Sequence, residues 1–238
     1  FVLVGIWWLG FAQVTYAKLP KEEKTSLPKD NYFKKGLKEI QKVSKELFAY
    51  RELKIFLISF FLLSIGVQTI ILMAGIFGTI LGLETLNLLA TILLVQFVGI
   101  FGAFLFSRLS NKIGNIKTIK IAIAIWGLVC FIGFNLTKDT PHIEMYFYIL
   151  GGLIGLVMGA IQSLARSTYS KLLPKTEDTA SYFSFYDVTE KVALVVGMVT
   201  FGFLNSIFTI QSSVLALAVF FLASFIVLST FKKTKHVE

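Results

Sequence analysis

The sequence predicts an all-α membrane protein, with six complete spanning helices behind the end of a seventh. Three observations predict it. Of 238 residues, 55% are hydrophobic and only 16% charged, against about 25% charged in soluble domains. Apolar runs of about 20 residues, the length a bilayer requires, recur along the chain. Basic residues are confined to alternate connections: 22 of the 23 Lys and Arg fall within 18–54, 108–120, 166–191 and 232–238. Cations are retained on the cytoplasmic side of spanning helices, so this alternation gives the topology. The opposite connections, 81–87, 137–144 and 205–213, carry one cation between them, Lys138.

Each element follows in order. The chain opens on Phe1-Val-Leu-Val-Gly-Ile-Trp-Trp, already inside an apolar run, with no initiator Met and no charged leading region. That argues against a signal peptide and predicts the end of a transmembrane helix at 1–17. Residues 18–54 form a cytoplasmic linker, extended around Pro20 and Pro28. Its second part repeats Phe33, Leu37, Ile40, Val43, Leu47 and Tyr50 at three- or four-residue intervals. This predicts an amphipathic helix lying along the inner membrane surface. A six-helix bundle occupies 55–231, with spans at about 55–81, 86–107, 117–136, 145–167, 186–208 and 212–231. A basic tail, 232–238, ends the chain inside the cell. Six helices after a long basic connection is the layout of one half of a two-repeat transporter.

Composition excludes several function classes. The net charge of +9 sits where membrane topology places it, so its partner is the anionic surface of the inner leaflet rather than a nucleic acid. Cys130 is alone and within a span, which rules out a disulfide framework. His142 and His236 are far apart and no metal-ligand spacing occurs. No paired acid and base, activated nucleophile or phosphate-binding loop is present, so an enzyme or ATP-driven pump is not expected. No cofactor is expected either.

Two stretches carry chemistry. The first is Ser107-Arg-Leu-Ser-Asn-Lys-Ile-Gly-Asn-Ile-Lys117, a tight inner connection. Gly114 supplies its turn, while Arg108, Lys112 and Lys117 hold it at the cytoplasmic face. The second runs from 151 to 197. Gly151, Gly155 and Gly159 recur at spacing four, a helix face that lets another helix approach closely. Gln162 and Arg166 continue that stripe inward. Arg166 either snorkels to the interface or pairs within the bundle, where its fork suits a carboxylate. Asp187 and Lys191 are four apart in the order favoured for a helical ion pair. Asp187 and Glu190 are also expected near a helix N-terminus, where the dipole favours acids.

Polar residues within spans are costly and usually face the bundle interior. Gln68, Gln96 and Gln162 are therefore candidates for a solute cavity, each with two donors and an acceptor. Interhelical hydrogen bonding explains them equally well. Gly66 is expected to loosen the helix beside Gln68.

Taken together, Gly-Val-Gln-Thr-Ile-Ile (66–71), Leu-Val-Gln-Phe-Val (94–98), Gly-Ala-Ile-Gln-Ser-Leu-Ala-Arg-Ser (159–167), Leu-Pro (173–174), Phe-Tyr-Asp (185–187) and Lys191 resemble the vacuole-effluxer-like family of the major facilitator superfamily. The 107–117 connection also resembles that superfamily's loop motif, through Leu109, Lys112, Gly114 and Lys117. Asn111 stands where the motif carries an acid, and Ile65 where an acid is common before Gly-Val-Gln. The resemblance implies a C-terminal half of a major facilitator fold, working with an N-terminal half of the same transporter. It implies alternating-access efflux of a small polar solute, an amino acid or related metabolite. Gln68, Gln96, Gln162 and Arg166 would then contact solute. Arg108, Asn111, Lys112, Gly114, Lys117, Asp187, Glu190 and Lys191 would form the inner gate. A bacterial cell membrane fits this sequence better than a vacuolar one. A non-transporting receptor or scaffold that kept the fold is the alternative.

Overall fold

The computed structural model describes residues 2–19, 32–174 and 179–231. The expected linker around Pro20 and Pro28 and the basic tail at 232–238 lie outside the described residues. The chain divides into two compact units, 1–38 and 39–238. In the first lies α1 (Val2–Lys18), a 17-residue helix whose apolar side chains are exposed. Helix α2 (Tyr32–Ala49) begins there and ends in the second unit.

The second unit holds α3 (Arg51–Ile80), α4 (Thr85–Ile113), α5 (Asn115–Asn135), α6 (Ile143–Leu172), α7 (Thr179–Ile207) and α8 (Ile210–Ser229). All six are long and apolar enough to cross a membrane. Most extend past the predicted spans. A 30-residue helix is about 45 Å long, whereas the hydrocarbon core needs only about 30 Å. Hydropathy registers the apolar core, and the helical backbone continues beyond it. The basic connection at 108–120 is consequently almost all helix. Gly114 alone interrupts it, at φ 87°, a conformation that side-chain-bearing residues resist. The α6 end also has a local cause: Leu173 precedes Pro174 and adopts extended backbone, ψ 139°.

Glycines set the closest helix–helix approach. Helices α4 and α6 pack so tightly that a Cβ on Gly155 would lie 2.6 Å from the Val95 carbonyl oxygen. One on Gly159 would strike the Gly99 backbone. Gly151, Gly155 and Gly159 thus all face α4. On the other side of the bundle, Gly197 of α7 stands against Ile65 and Thr69 of α3.

The two approaches are related. Helix α4 packs on α6 as α7 packs on α3, and α3 packs on α8 as α6 packs on α5. Exchanging α3-α4-α5 with α6-α7-α8 leaves that pattern unchanged. Consecutive helices run antiparallel, so the two triplets have opposite orientation in the membrane. No repeat is visible in the sequence because packing preserves helix order and small-residue contacts, not side-chain identity.

Two expectations need correction. Helix α3 is unbroken at Gly66, which is buried where a Cβ would meet the Phe221 ring. Gly66 is small to admit that ring and does not loosen the helix. The apolar stripe of α2 is also not left to the membrane surface throughout. Val43 and Leu47, 2% and 0% exposed, are part of the bundle core.

Candidate functional site

Several polar side chains of the spans converge on one cavity of about 290 Å³. Its walls are Phe60, Ser64, Val67 and Gln68 of α3, Ile161, Gln162 and Arg166 of α6, and Tyr186 and Glu190 of α7. Gln68 is the eighteenth residue of α3, roughly 26 Å along the helix axis at 1.5 Å per residue. Arg166 is six residues from the C-terminal end of α6. The cavity therefore reaches from about the middle of α3 toward the C-terminal end of α6.

Two contacts join its walls. The Gln68 amide Nε2 donates a hydrogen bond to Glu190 Oε1, linking α3 to α7. An Arg166 NH2 group donates to Asp187 Oδ1 at 2.7 Å, linking α6 to α7. Arg166 thus pairs within the bundle. Its guanidinium also lies 5.8 Å from the ring centres of Phe183 and Tyr186. Aromatic packing continues behind the cavity, with Phe60 stacked on Tyr186 at 4.3 Å and Tyr169 tilted against it at 5.0 Å. These rings fix the wall that carries Arg166 and Glu190.

The structure departs from the spacing-based expectations in four places. Asp187 bonds Arg166 across helices rather than Lys191 one turn along. Among the described residues Lys191 makes no ion pair. Helix α7 starts at Thr179, so Asp187 and Glu190 lie two to three turns inside it, away from the helix N-terminus. The hydroxyl-rich stretch 179–186 lowers hydropathy without ending the helix. Finally, Gln96 lies apart from Gln68 and Gln162. It borders a second, apolar cavity of about 420 Å³, with Phe77, Val95, Phe147 and Ile154 among its walls.

The 107–117 connection makes a different contact from the one expected. Asn111, Lys112 and Lys117 are exposed and in no ion pair among the described residues. Arg108 lies 4.0 Å over its own helix's Phe104 ring. The cross-helix bond comes instead from Asn115, whose Nδ2 donates to Thr168 Oγ1 of α6 at 3.1 Å. Sequence reading also missed the tie between α2 and α7. The Tyr182 hydroxyl donates to Glu46 Oε2 at 2.6 Å, and Tyr169 donates to the Tyr182 carbonyl at 2.8 Å. Ser64 and Tyr186 were missed as cavity walls because serine and tyrosine in a span carry no strong polar signal.

Residues 1–237 match the family described as vacuole effluxer Atg22 like. The chain belongs to that family. Its multi-pass membrane architecture and six-helix bundle accord with that membership. Among similar curated proteins, one from Bacillus subtilis, named Uncharacterized MFS-type transporter YxiO, is 26% identical over 197 residues. That alignment covers 83% of this chain and 44% of the other protein. Autophagy-related protein 22-1 of Penicillium rubens is 29% identical over 225 residues, covering 84% and 37% respectively. Autophagy-related protein 22 of Kluyveromyces lactis is 26% identical over 225 residues, covering 86% and 44%. The chain thus spans less than half the length of these relatives.

Proposed function

We propose that the chain is the C-terminal half of a secondary transporter. It would move a small polar solute, an amino acid or related metabolite, outward by alternating access. The N-terminal half of the same protein would close the cavity from the opposite side, and the lipid bilayer surrounds both. One observation carries this reading: Gln68, Gln162, Arg166 and Glu190 gather in a single cavity midway along helices of membrane length. Side chains of this kind are expensive within a bilayer, and they are found where a solute or ion path needs them. The family description adds efflux, and YxiO's name adds the transporter class.

In this reading Gln68 and Gln162 supply donors and acceptors for an amino-acid backbone. Arg166 spends one N–H on Asp187 and has others for a solute carboxylate. The Arg166–Asp187 and Gln68–Glu190 contacts both cross from α7 to a neighbouring helix. They would break and re-form as α7 tilts against α3 and α6. Arg108, Asn111, Lys112, Gly114 and Lys117 would act at the membrane surface as the hinge of that motion. By the positive-inside bias of its basic connections the C-terminus would face the cytoplasm, and a bacterial cell membrane would be its location.

The test is counterflow in proteoliposomes carrying the full-length protein, loaded with mixed labelled amino acids. Saturable exchange of one class supports the reading and identifies the solute group. A folded, monodisperse sample without exchange of any class overturns amino-acid transport and leaves a receptor or scaffold.

A further inference from the structure

Arg166 and Asp187 cancel each other at the cavity's edge. Glu190 remains. It makes no ion pair among the described residues, and its bonded neighbour is the uncharged Gln68 amide. From α6 it is faced by Gln162 and Arg166, the latter already engaged by Asp187. Its own helix adds Tyr186 within the cavity and Lys191 exposed outside it. Helix α3 has no ionisable residue after Lys54, and α8 has none at all. Among the described residues the cavity therefore holds one carboxylate without a permanent counter-charge, beside Phe60, Val67 and Ile161.

An uncompensated carboxylate is tolerable while water fills the cavity. It becomes strongly unfavourable once closure removes that water. Alternating access requires closure, so the charge must be neutralised in each closed state. Two cations can do this: a proton, or a cationic group on the solute. They use the same oxygens and exclude one another.

Resting on the transport reading of this cavity, we infer that Glu190 is where the solute's ammonium group and a proton compete. The protein then exchanges solute for proton. In one closed state a Glu190 oxygen carries a proton taken from the aqueous phase outside. In the other, that proton has been released to the inside and the carboxylate faces the solute's ammonium. The Gln68 bond re-forms in both closed states, because a neutral carboxyl keeps a carbonyl acceptor. A metal cation fits this site less well. Gln68 presents an N–H to the carboxylate, and the described residues gather no cluster of three or more acidic, His or Cys side chains.

The experiment uses full-length protein in proteoliposomes, with the pH equal on both sides. Counterflow of mixed labelled amino acids is measured across a pH series. Wild type should show an apparent KM that rises as pH falls, approaching tenfold per pH unit in the acid range, with little change in maximal rate. Glu190→Asp should keep that dependence. Glu190→Gln should have a high KM that no longer changes with pH. Solute added to purified wild type in weak buffer should release protons, and the Gln variant should release none. A wild-type KM independent of pH overturns the inference, as does an unchanged pH profile in Glu190→Gln. So does replacement of the pH effect by a sodium effect. Absence of counterflow at every pH is a different failure, which removes the transport reading and this inference with it.

Discussion

The two cavities of the bundle share walls but not chemistry. Helices α3 and α6 line both of them. The polar cavity takes Gln68 from α3 and Gln162 and Arg166 from α6. The other takes Ile70, Ile71, Phe77, Phe147 and Ile154 from the same helices, with Thr91 and Gln96 of α4 among its few polar walls. The difference lies in which residues each cavity uses. Acid-bearing α7 gives Tyr186 and Glu190 to the first but only Phe201 to the second, which is completed by α4, with no acid in its length, and by apolar residues of α5 and α8. The two cavities thus sit at different levels along α3 and α6, one polar and one apolar.

The largest expected effect breaks both cavities together. Gly155→Leu would force side-chain atoms into the Val95 backbone, which cannot move aside as a flexible side chain can. Overpacking of this kind costs about 1–3 kcal/mol even where neighbours yield. The variant should insert yet run as aggregate on size exclusion. Monodisperse protein with wild-type melting would show that the α4–α6 seam is looser than drawn. The next effect belongs to the polar cavity alone. Arg166→Ala should reduce full-length counterflow more than about tenfold, as loss of a charge-assisted contact implies. Its yield and melting should stay near wild type, since both Arg166 and Asp187 are about half exposed. Normal rates in this variant would take Arg166 out of the mechanism.

Much of this was legible in the sequence, for reasons that differ by residue. The spans follow from composition, because bilayer thickness acts on every residue of a segment. Gly155 and Gly159 were legible because close approach repeats every fourth residue on a helix. Partner choice was not. Spacing offered Asp187 to Lys191, but the fold put Arg166 of α6 within reach, and a pattern along one helix carries no information about its neighbour. Gln96 was grouped with Gln68 and Gln162 for the same reason: residue type was visible, and depth relative to other helices was not. Asn111 was favoured over Asn115 through the loop-motif resemblance. The turn at Gly114 instead aims Asn115 at Thr168.

A sharper test of the comparison replaces one glutamine in each cavity. Gln162→Ala should raise the KM for solute about 2- to 10-fold, the loss of one or two hydrogen bonds. Gln96→Leu should leave KM unchanged, since its surroundings are apolar. Equal effects from both would mean that the solute occupies both cavities, and the division between them would lose its functional meaning.

The smallest effect tests whether polar groups away from either cavity matter to transport at all. Ser59 and Ser224 are buried, with hydroxyl oxygens 2.8 Å apart, and each hydroxyl also lies near the other residue's carbonyl, at 3.1 and 2.8 Å. They join α3 to α8 with no wall in the polar cavity. Such bonds within membranes contribute about 0.6 kcal/mol on average. Ser59→Ala should therefore lower the melting temperature by only a degree or two, with KM and its pH profile untouched. The surviving Ser224 hydroxyl keeps an acceptor in the Ser59 carbonyl, so no buried donor is stranded. A large loss of transport here would mean that α3 and α8 slide during the cycle. The moving boundary would then lie at α8 rather than at α7, and the contacts of Gln68 and Arg166 would be fixed struts instead of parts of the gate.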